Sequence, residues 1–409
     1  MTIGIVAATA NASRASFEER QTQTHERVKP RGTRALARVA CVTRHGARAP
    51  LRITTTTDDG ESTRWRALML DVEHRRKLRT SARVRDEDEA SASEAEDGEP
   101  RDASGELTIR GAREMMDLGQ RVIRKWLIDE EKFLSSEFAN AVRLGEVKVR
   151  STAARRCVMS AQSVIYGGWG DVSSRGALEI EVRSKEQESM FPKPGKACER
   201  LNDFFKSEVE VAERESRASL GKHPALARIR DELEAQSGGA ATEVTVWDKL
   251  QCMLNHDMEL PEGVTAEDVG ALLTSMERRY FTLFSRPEIA ALVGGRLLRE
   301  LCDEMASPEP FKLSIFSGHD SSLIALFAAL GVLDVGVRAW PATASALIFE
   351  TWHMLDGTRG VRAVYNGKPL MLTPKSRASD GMTSYDDFKA FVDARVPSDF
   401  EAACRVSKL

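Results

Sequence analysis

The chain has 409 residues, enough for one elaborated α/β domain or for two domains. Its 59 Lys and Arg against 62 Asp and Glu leave a formal net charge of −3, which gives no electrostatic footing for nucleic acid as a partner. No uninterrupted apolar stretch of the roughly 18 residues that a bilayer span needs occurs, so an integral membrane protein is not expected.

In chain order, residues 1–33 are polar and unpatterned and read as a flexible lead-in. Met1 to Ser16 lacks a basic start followed by an apolar core, so a secretory signal is poorly supported; a disordered tail fits better, with an organelle presequence as the alternative. The run "RALARVACVT" is a buried-strand candidate that stops at Arg44-His45-Gly46-Ala47-Arg48. Residues 83–104 form an acidic low-complexity tract with almost nothing to bury, an expected disordered insert. In "GELTIRGAREMMDLGQRVIRKWL" Thr108 is placed to cap a helix, and Met115, Leu118, Val122 and Trp126 recur at helical spacing. The short strand "EVKVR" ends in Ser151-Thr152 and precedes a helix carrying Arg155 and Arg156. From about Asp171 to Pro310 the pattern is mostly helical, without a strong strand run, and residues 171–294 are assigned to an α-helical cap. "FKLSIFS" is a third apolar strand, which ends in Gly318-His319-Asp320 and runs into the helix "SSLIALFAALG". "ASALIFETW" and "GVRAVYNGKPLML" read as two antiparallel strands joined by a short turn. Residues 34–170 and 295–409 are therefore expected to form an α/β core. The six cysteines (Cys41, Cys157, Cys198, Cys252, Cys302, Cys404) are sparse and contain no Cys-x-x-Cys pair, so they read as free buried thiols. Ser407-Lys408-Leu409 at the end of the sequence matches the receptor-read peroxisomal address, so peroxisomal import is expected; the cytoplasm or another organelle is the alternative.

The three strand ends share one chemistry. In open α/β sheets ligands bind outside the carboxyl ends of strands, where helix N-termini aim free N–H groups at them. Here those ends carry arginines and histidines, which implies a compact multivalent anion such as phosphate. A histidine between two arginines is disfavoured as imidazolium by like-charge repulsion, and only the neutral ring can attack phosphorus. The same arginines neutralise the phosphoryl oxygens. His45 is thus the candidate nucleophile, and Asp320 the candidate proton donor to the departing alkoxide. A competing pair, His256-Asp257, follows no clean strand and starts no helix, so it reads as loop or cap lining. Arg155 and Arg156 lie about 100° apart on a helix, so one of the two faces the site, and periodicity does not choose between them.

Taken together, these residues resemble the histidine acid phosphatase family, branch 2 of the histidine phosphatase superfamily. Residues 44–50 match its Arg-His-Gly-x-Arg-x-Pro signature, and Gly318-His319-Asp320 matches its downstream His-Asp. "GELTIRG" and "RSTAARRCVMSAQSVIYGGW" resemble its intervening segments, in the expected order. The resemblance implies a three-layer α/β/α core with a mostly parallel, phosphoglycerate mutase-like sheet, a smaller α-helical cap, and neither metal nor cofactor. It implies that His45 becomes a phosphohistidine, that Arg44, Arg48, Arg156 and His319 hold the phosphate, and that Asp320 protonates the leaving group; the family spacing selects Arg156 over Arg155. The lysophosphatidic acid phosphatase branch is the most similar in wording, which makes the expected substrate a small phosphomonoester, with a lysophospholipid among the candidates. Ala153, Ala154 and Arg155 stand where the family commonly has acidic residues. Secreted relatives carry paired cysteines near the C-terminus where this chain shows only Cys404, a difference that fits a reducing compartment. The rival readings are a phosphoryl-transfer enzyme of the mutase type, a catalytically silent phosphate- or lipid-binding module, and a metal-dependent His-Asp phosphohydrolase.

Overall fold

Every residue from Arg38 to Arg44 is buried, the mark of a strand covered on both faces, and this segment is the inner part of β1 (Thr33–Arg44). The computed structural model describes residues 29–53, 60–85, 103–172, 178–192, 198–237, 239–333, 337 and 339–406. Most of the lead-in, residues 86–102 of the acidic tract, and the terminal Ser407-Lys408-Leu409 lie outside the described residues. The tract's first residues, Arg83 and Val84, belong instead to a short strand, β2 (Ala82–Val84).

β1 sits inside a sheet that is completed by β3 (Val147–Ser151), β4 (Leu178–Val182), β5 (Leu313–Gly318), β6 (Ala346–Met354), β7 (Arg359–Tyr365), β8 (Lys368–Leu370) and β9 (Thr383–Ser384). The strand order is β2-β4-β3-β5-β1-β6-β7-β8, with β9 also paired to β7. β2, β4, β3, β5 and β1 run parallel, and β6 to β9 add an antiparallel flank. The expected β6–β7 pair forms. β4 corrects the reading of residues 171–310 as free of strands, because "LEIEV" lies in the parallel half between β2 and β3.

Alternate residues of β1 enter two separate cores, Val39 and Cys41 on one face and Ala40 and Val42 on the other. Before the site, α1 (Gly60–Arg66) and α2 (Val72–Ser81) are short surface helices. The first face is covered by α3 (Ile109–Gly119), which continues as a wider π-helical stretch over Gln120–Glu130, and, after α4 (Phe138–Arg143), by α5 (Arg155–Trp169). Thr108 caps α3 as expected, its hydroxyl accepting from the Gly111 N–H. Four helices then form the cap: α6 (Glu199–Leu220), α7 (Pro224–Ser237), α8 (Glu243–Asn255) and α9 (Ala266–Phe284). They share a core of their own around Leu226, Leu233, Trp247, Leu250, Leu272 and Met276. The second face of the sheet packs on α10 (Pro287–Val293), α11 (Gly295–Ala306), α12 (Asp320–Leu330), α13 (Tyr385–Arg395) and α14 (Phe400–Cys404). Among the described residues no helix is long and apolar enough to cross a membrane.

Two of the expected free thiols are bonded. Cys198, at the head of α6, and Cys404, at the end of α14, form a disulfide across 206 residues of sequence, whereas Cys41, Cys157, Cys252 and Cys302 are buried and not disulfide-bonded. Both half-cystines lie outside any local motif, which is why sequence spacing conceals the pair. The bond also removes the support that an unpaired Cys404 lent to a reducing compartment.

Candidate active site

The sheet register brings the three suspected strand ends level. Arg44 of β1 lies opposite Gly318 of β5, and Ser317 of β5 lies opposite Ser151 of β3. Beyond β1 the chain turns through His45-Gly46-Ala47 against the start of α3, and this contact explains the glycines of both motifs. A Cβ on Gly46 would stand 2.2 Å from the Gly111 carbonyl oxygen, and one on Gly111 would stand 2.0 Å from that of Ala47. Glu114 of α3 accepts from the Ala47 N–H at 2.9 Å, and the Ser160 hydroxyl of α5 accepts from the Gly46 N–H at 3.2 Å. Beyond β5, α12 begins at Asp320. It is apolar all round and buried, and it stops at Gly331 in the left-handed region (φ +70°).

His45 is buried, and its Nδ1 lies 2.8 Å from its neighbour's carbonyl oxygen, that of Gly46. A carbonyl only accepts, so the ring proton sits on Nδ1 and the Nε2 lone pair is left open. Burial, followed by Arg156, Arg48, Arg44 and His319, holds the His45 pKa well below the ordinary histidine range. His319 meets His45 edge-on, with ring centroids 5.7 Å apart, and stacks on Phe191 at 5.2 Å. Its Nδ1 accepts from Arg156 Nη2 at 3.4 Å, and its Nε2 lies 3.1 Å from the Thr152 hydroxyl. Burial and Arg156 push its pKa down to about 3, against the opposing pull of Asp320.

The three arginines differ in their partners. Arg44 donates to the Pro341 carbonyl at 2.5 Å and to Gln251 at 2.8 Å, and it pairs with Asp320 at 3.0 Å. Arg48 pairs with Asp248 at 2.5 Å; the other Asp248 oxygen accepts from the Leu51 N–H at 2.7 Å. Arg156 makes no ion pair among the described residues, while Arg155 turns away to Glu106 at 3.3 Å. The buried Nε atoms of Arg44, Arg48 and Arg156 all lack a hydrogen-bond partner. With both histidines neutral, three guanidinium groups face two carboxylates, a net charge of +1 aimed at one small volume. That arrangement can bind a phosphoryl group and present a nucleophile to it.

Asp320 is not a poised acid in this arrangement. Burial works against its ionisation, but Arg44, Arg48, His319 and the Trp340 indole outweigh burial and hold the carboxyl below its usual range. All six residues singled out from the sequence, Arg44, His45, Arg48, Arg156, His319 and Asp320, share the one pocket. His256 and Asp257 lie apart: His256 bonds Thr108 at 2.8 Å, and Asp257 pairs with Arg110 at 2.7 Å, so together they line the seam between α3 and the cap.

Sequence reasoning missed Asp248, Gln251, Phe191 and Trp340. Asp248, Gln251 and Cys252 share one face of α8 at i, i+3 and i+4, and Gln251 and Cys252 are buried there. Polar groups on the inward face of a cap helix were the available signal. Phe191 reaches the site because a buried ion network holds its segment: Arg150, the residue before Ser151, donates to Glu188 (2.8 Å), Ser189 (2.6 Å) and Glu300 (2.7 Å).

The family described as the histidine phosphatase superfamily (branch 2) matches residues 35–366. A probable acid phosphatase of Dictyostelium discoideum is 22% identical over 343 residues, covering 75% of this chain and 72% of that protein. The lysosomal acid phosphatase of Rattus norvegicus is 24% identical, covering 74% and 73%. Among solved structures, the apo phytase of Hafnia alvei superposes with a TM-score of 0.60 at 16% identity, covering 93% of this chain and 100% of that one, and shows the shared fold. The chain belongs to branch 2 of the histidine phosphatase superfamily and is a histidine acid phosphatase.

Proposed function

We propose that this phosphatase cleaves phosphomonoesters through a phosphohistidine on His45. The single observation that carries the reading is the buried His45 ring, with Nδ1 engaged by a carbonyl and Nε2 free, among Arg44, Arg48 and Arg156. The phosphate dianion takes up the spare positive charge, and Arg156, which makes no ion pair among the described residues, makes the least costly contact. Nε2 then attacks phosphorus as the ester P–O bond breaks. Asp320 gives its proton to the leaving oxygen and afterwards accepts one from the water that hydrolyses the P–N bond. Because Arg44 keeps this carboxyl ionised in the free enzyme, it takes up its proton from solvent when the substrate binds: the bound phosphate draws Arg44 toward itself, and its negative charge raises the carboxyl's proton affinity. A neutral nucleophile that persists in acid, beside a carboxyl that must be protonated, supports operation on the acid side of neutrality.

His45→Ala is expected to abolish the acid-labile, base-stable phosphoenzyme; label surviving that change refutes the nucleophile. Asp320→Asn is expected to slow alkyl phosphates by ~10²–10⁴-fold while p-nitrophenyl phosphate loses far less, and equal losses refute the proton donor.

Lysophosphatidic acid is the proposed substrate within this class. Phe191 on His319 and the Trp340–Tyr280 pair beside Asp320 supply apolar surface for a lipid-bearing leaving group, and a net charge of +1 suits a single phosphate. A release assay across lysophosphatidic acid, sugar phosphates, inositol phosphates and phosphotyrosine at pH 5 and pH 7 tests it, and preference for inositol polyphosphates overturns it. Peroxisomal import is a separate proposal. Ser407-Lys408-Leu409 supports it and the Cys198–Cys404 bond speaks for an oxidising compartment instead; microscopy of a fusion that keeps Leu409 terminal decides between them.

A further inference from the structure

Trp340, on the segment between α12 and β6, belongs to none of the motifs, yet it touches the carboxyl that the proposed reaction needs. We propose that Trp340 is a positioning residue for proton transfer, its indole N–H fixing the Asp320 carboxyl and stabilising the charge left there when the leaving group is protonated. The inference rests on the phosphohistidine reading and goes beyond it.

Trp340 Nε1 donates to Asp320 Oδ2 at 3.1 Å, the same oxygen that Arg44 Nη2 meets at 3.0 Å, while the Ser321 N–H donates to Oδ1 at 2.7 Å. With Oδ1 tied to the first N–H after it and Oδ2 held between two donors, the carboxyl has one orientation. Trp340 is itself anchored from the cap. Its backbone N–H donates to Glu277 of α9 at 2.6 Å, and its ring packs edge-on against Tyr280 of the same helix, with centroids 5.3 Å apart at 86°. The cap therefore reaches the proton donor through one side chain, as it reaches Arg44 and Arg48 through Gln251 and Asp248.

The chemistry gives this contact a direction. As the ester P–O bond breaks, the proton passes from Asp320 to the leaving oxygen and a carboxylate remains. An N–H bonds a carboxylate more strongly than a neutral acid, so the indole's help grows along the reaction, as transition-state stabilisation requires. Other charged or titratable groups facing the carboxyl are Arg44 and Arg48 from the β1 end, His319 beside it, Arg156 and Cys157 from α5, and Tyr280 from α9. None of them is altered by removing the indole N–H, so the contribution of Trp340 is separable.

The test is Trp340→Phe, which keeps an aromatic ring against Tyr280 and the main-chain bond to Glu277 but has no N–H. For an alkyl phosphate, kcat is expected to fall about tenfold, and the limb on which activity is lost with rising pH to move up by about one unit. For p-nitrophenyl phosphate, whose leaving group needs little protonation, the rate is expected to stay within about twofold. Equal losses on both substrates with the limb unmoved overturn the inference. Benzothienylalanine at position 340 swaps the N–H for sulfur in a ring of the same shape, and it carries the same two outcomes if the phenylalanine variant does not fold. Phosphoenzyme trapping runs alongside. A phosphohistidine in the unsubstituted enzyme with unaltered leaving-group dependence in the variants sinks this inference alone, whereas its absence from the unsubstituted enzyme sinks the parent reading.

Discussion

Arg150 and Arg156 stand six residues apart, one at the end of β3 and the other at the start of α5, and they illustrate opposite uses of a cation at low exposure. Arg150 is 2% exposed, and both of its terminal nitrogens are engaged, by Glu188 (1% exposed), Ser189 and Glu300, with Arg183 bracing Glu300 from the other side at 2.6 Å. Arg156 makes no ion pair among the described residues, bonds the ring of His319 at 3.4 Å, and has its pKa lowered by burial and by like-charge repulsion from Arg48. A buried charge whose partners are supplied by the fold is architecture. A charge left in excess at the mouth of three strands is a binding site awaiting its counter-ion.

Stability and activity should therefore separate cleanly between the two. Arg150→Leu strands the buried Glu188 carboxylate and frees the segment that carries Phe191, so unfolding in denaturant should show a loss of about 3–5 kcal/mol. Arg156→Gln should leave stability within about 1 kcal/mol, because a repulsion with Arg48 disappears together with a weak contact. Its kcat/KM for any phosphomonoester should drop about 10²–10³-fold, the cost of one preorganised donor to the phosphoryl oxygens. If both variants lost stability alike while kcat/KM of the folded fraction held, Arg156 would be a structural residue and the contrast would fail.

The pH dependence of stability sharpens the same contrast. His45 and His319 are neutral in the folded protein, His319 down to a pKa of about 3, whereas an unfolded chain protonates its histidines near 6.5. The unfolded state thus binds more protons below that pH. The stability these rings contribute is complete above about pH 6.5 and falls as pH drops toward the folded-state values, by roughly 1 kcal/mol per pH unit for each ring. After burial, Arg156 is the largest cause of both shifts. Arg156→Gln should let the folded-state rings protonate at a higher pH, so that the loss of stability levels off at a less acid pH than in the unsubstituted enzyme, and Arg150→Leu should leave that pH unchanged. Inorganic phosphate, which supplies the missing negative charge, should raise the melting temperature of the unsubstituted enzyme more than that of Arg156→Gln.

The sequence disclosed what is contiguous. β1 and β5 are apolar runs buried on both faces, and each delivers its reactive residues within a few positions of its end. Arg44, His45, Arg48, His319 and Asp320 could be singled out for that reason, whereas Arg156 was chosen over Arg155 only through the family resemblance; the Gly46–Gly111 contact is a physical cause for two motifs that are separate in sequence. β4 was missed although Leu178, Ile180 and Val182 alternate with Glu179 and Glu181 as a half-buried strand requires, because it is only five residues long and lies in an otherwise mostly helical stretch; in the fold these glutamates find Arg85 and Arg183. Asp248 and Gln251 lie some 200 residues from the arginines they hold, and Cys198 lies 206 from Cys404. Such pairings are set by how the cap docks on the core, which no local pattern encodes.

Asp248 offers the finest adjustment of the comparison, because it is what makes Arg48 resemble Arg150 more than Arg156. Its carboxylate takes up the charge of Arg48 at 2.5 Å from the cap side, so an incoming phosphate competes with a resident anion. Asp248→Asn keeps an oxygen for the guanidinium but removes that charge, and the pocket's net charge rises from +1 to +2 by the same count of three arginines against Asp320 alone. Inorganic phosphate should then bind more tightly, its inhibition constant falling by about 3–10-fold, equivalent to ~1 kcal/mol for one partly screened charge. Turnover should slow where release of phosphate limits it, with KM falling alongside kcat, the pattern expected when binding improves without gain in the transition state. An unchanged inhibition constant would mean that Asp248 merely orients Arg48, and that the fold regulates the site's geometry rather than its charge.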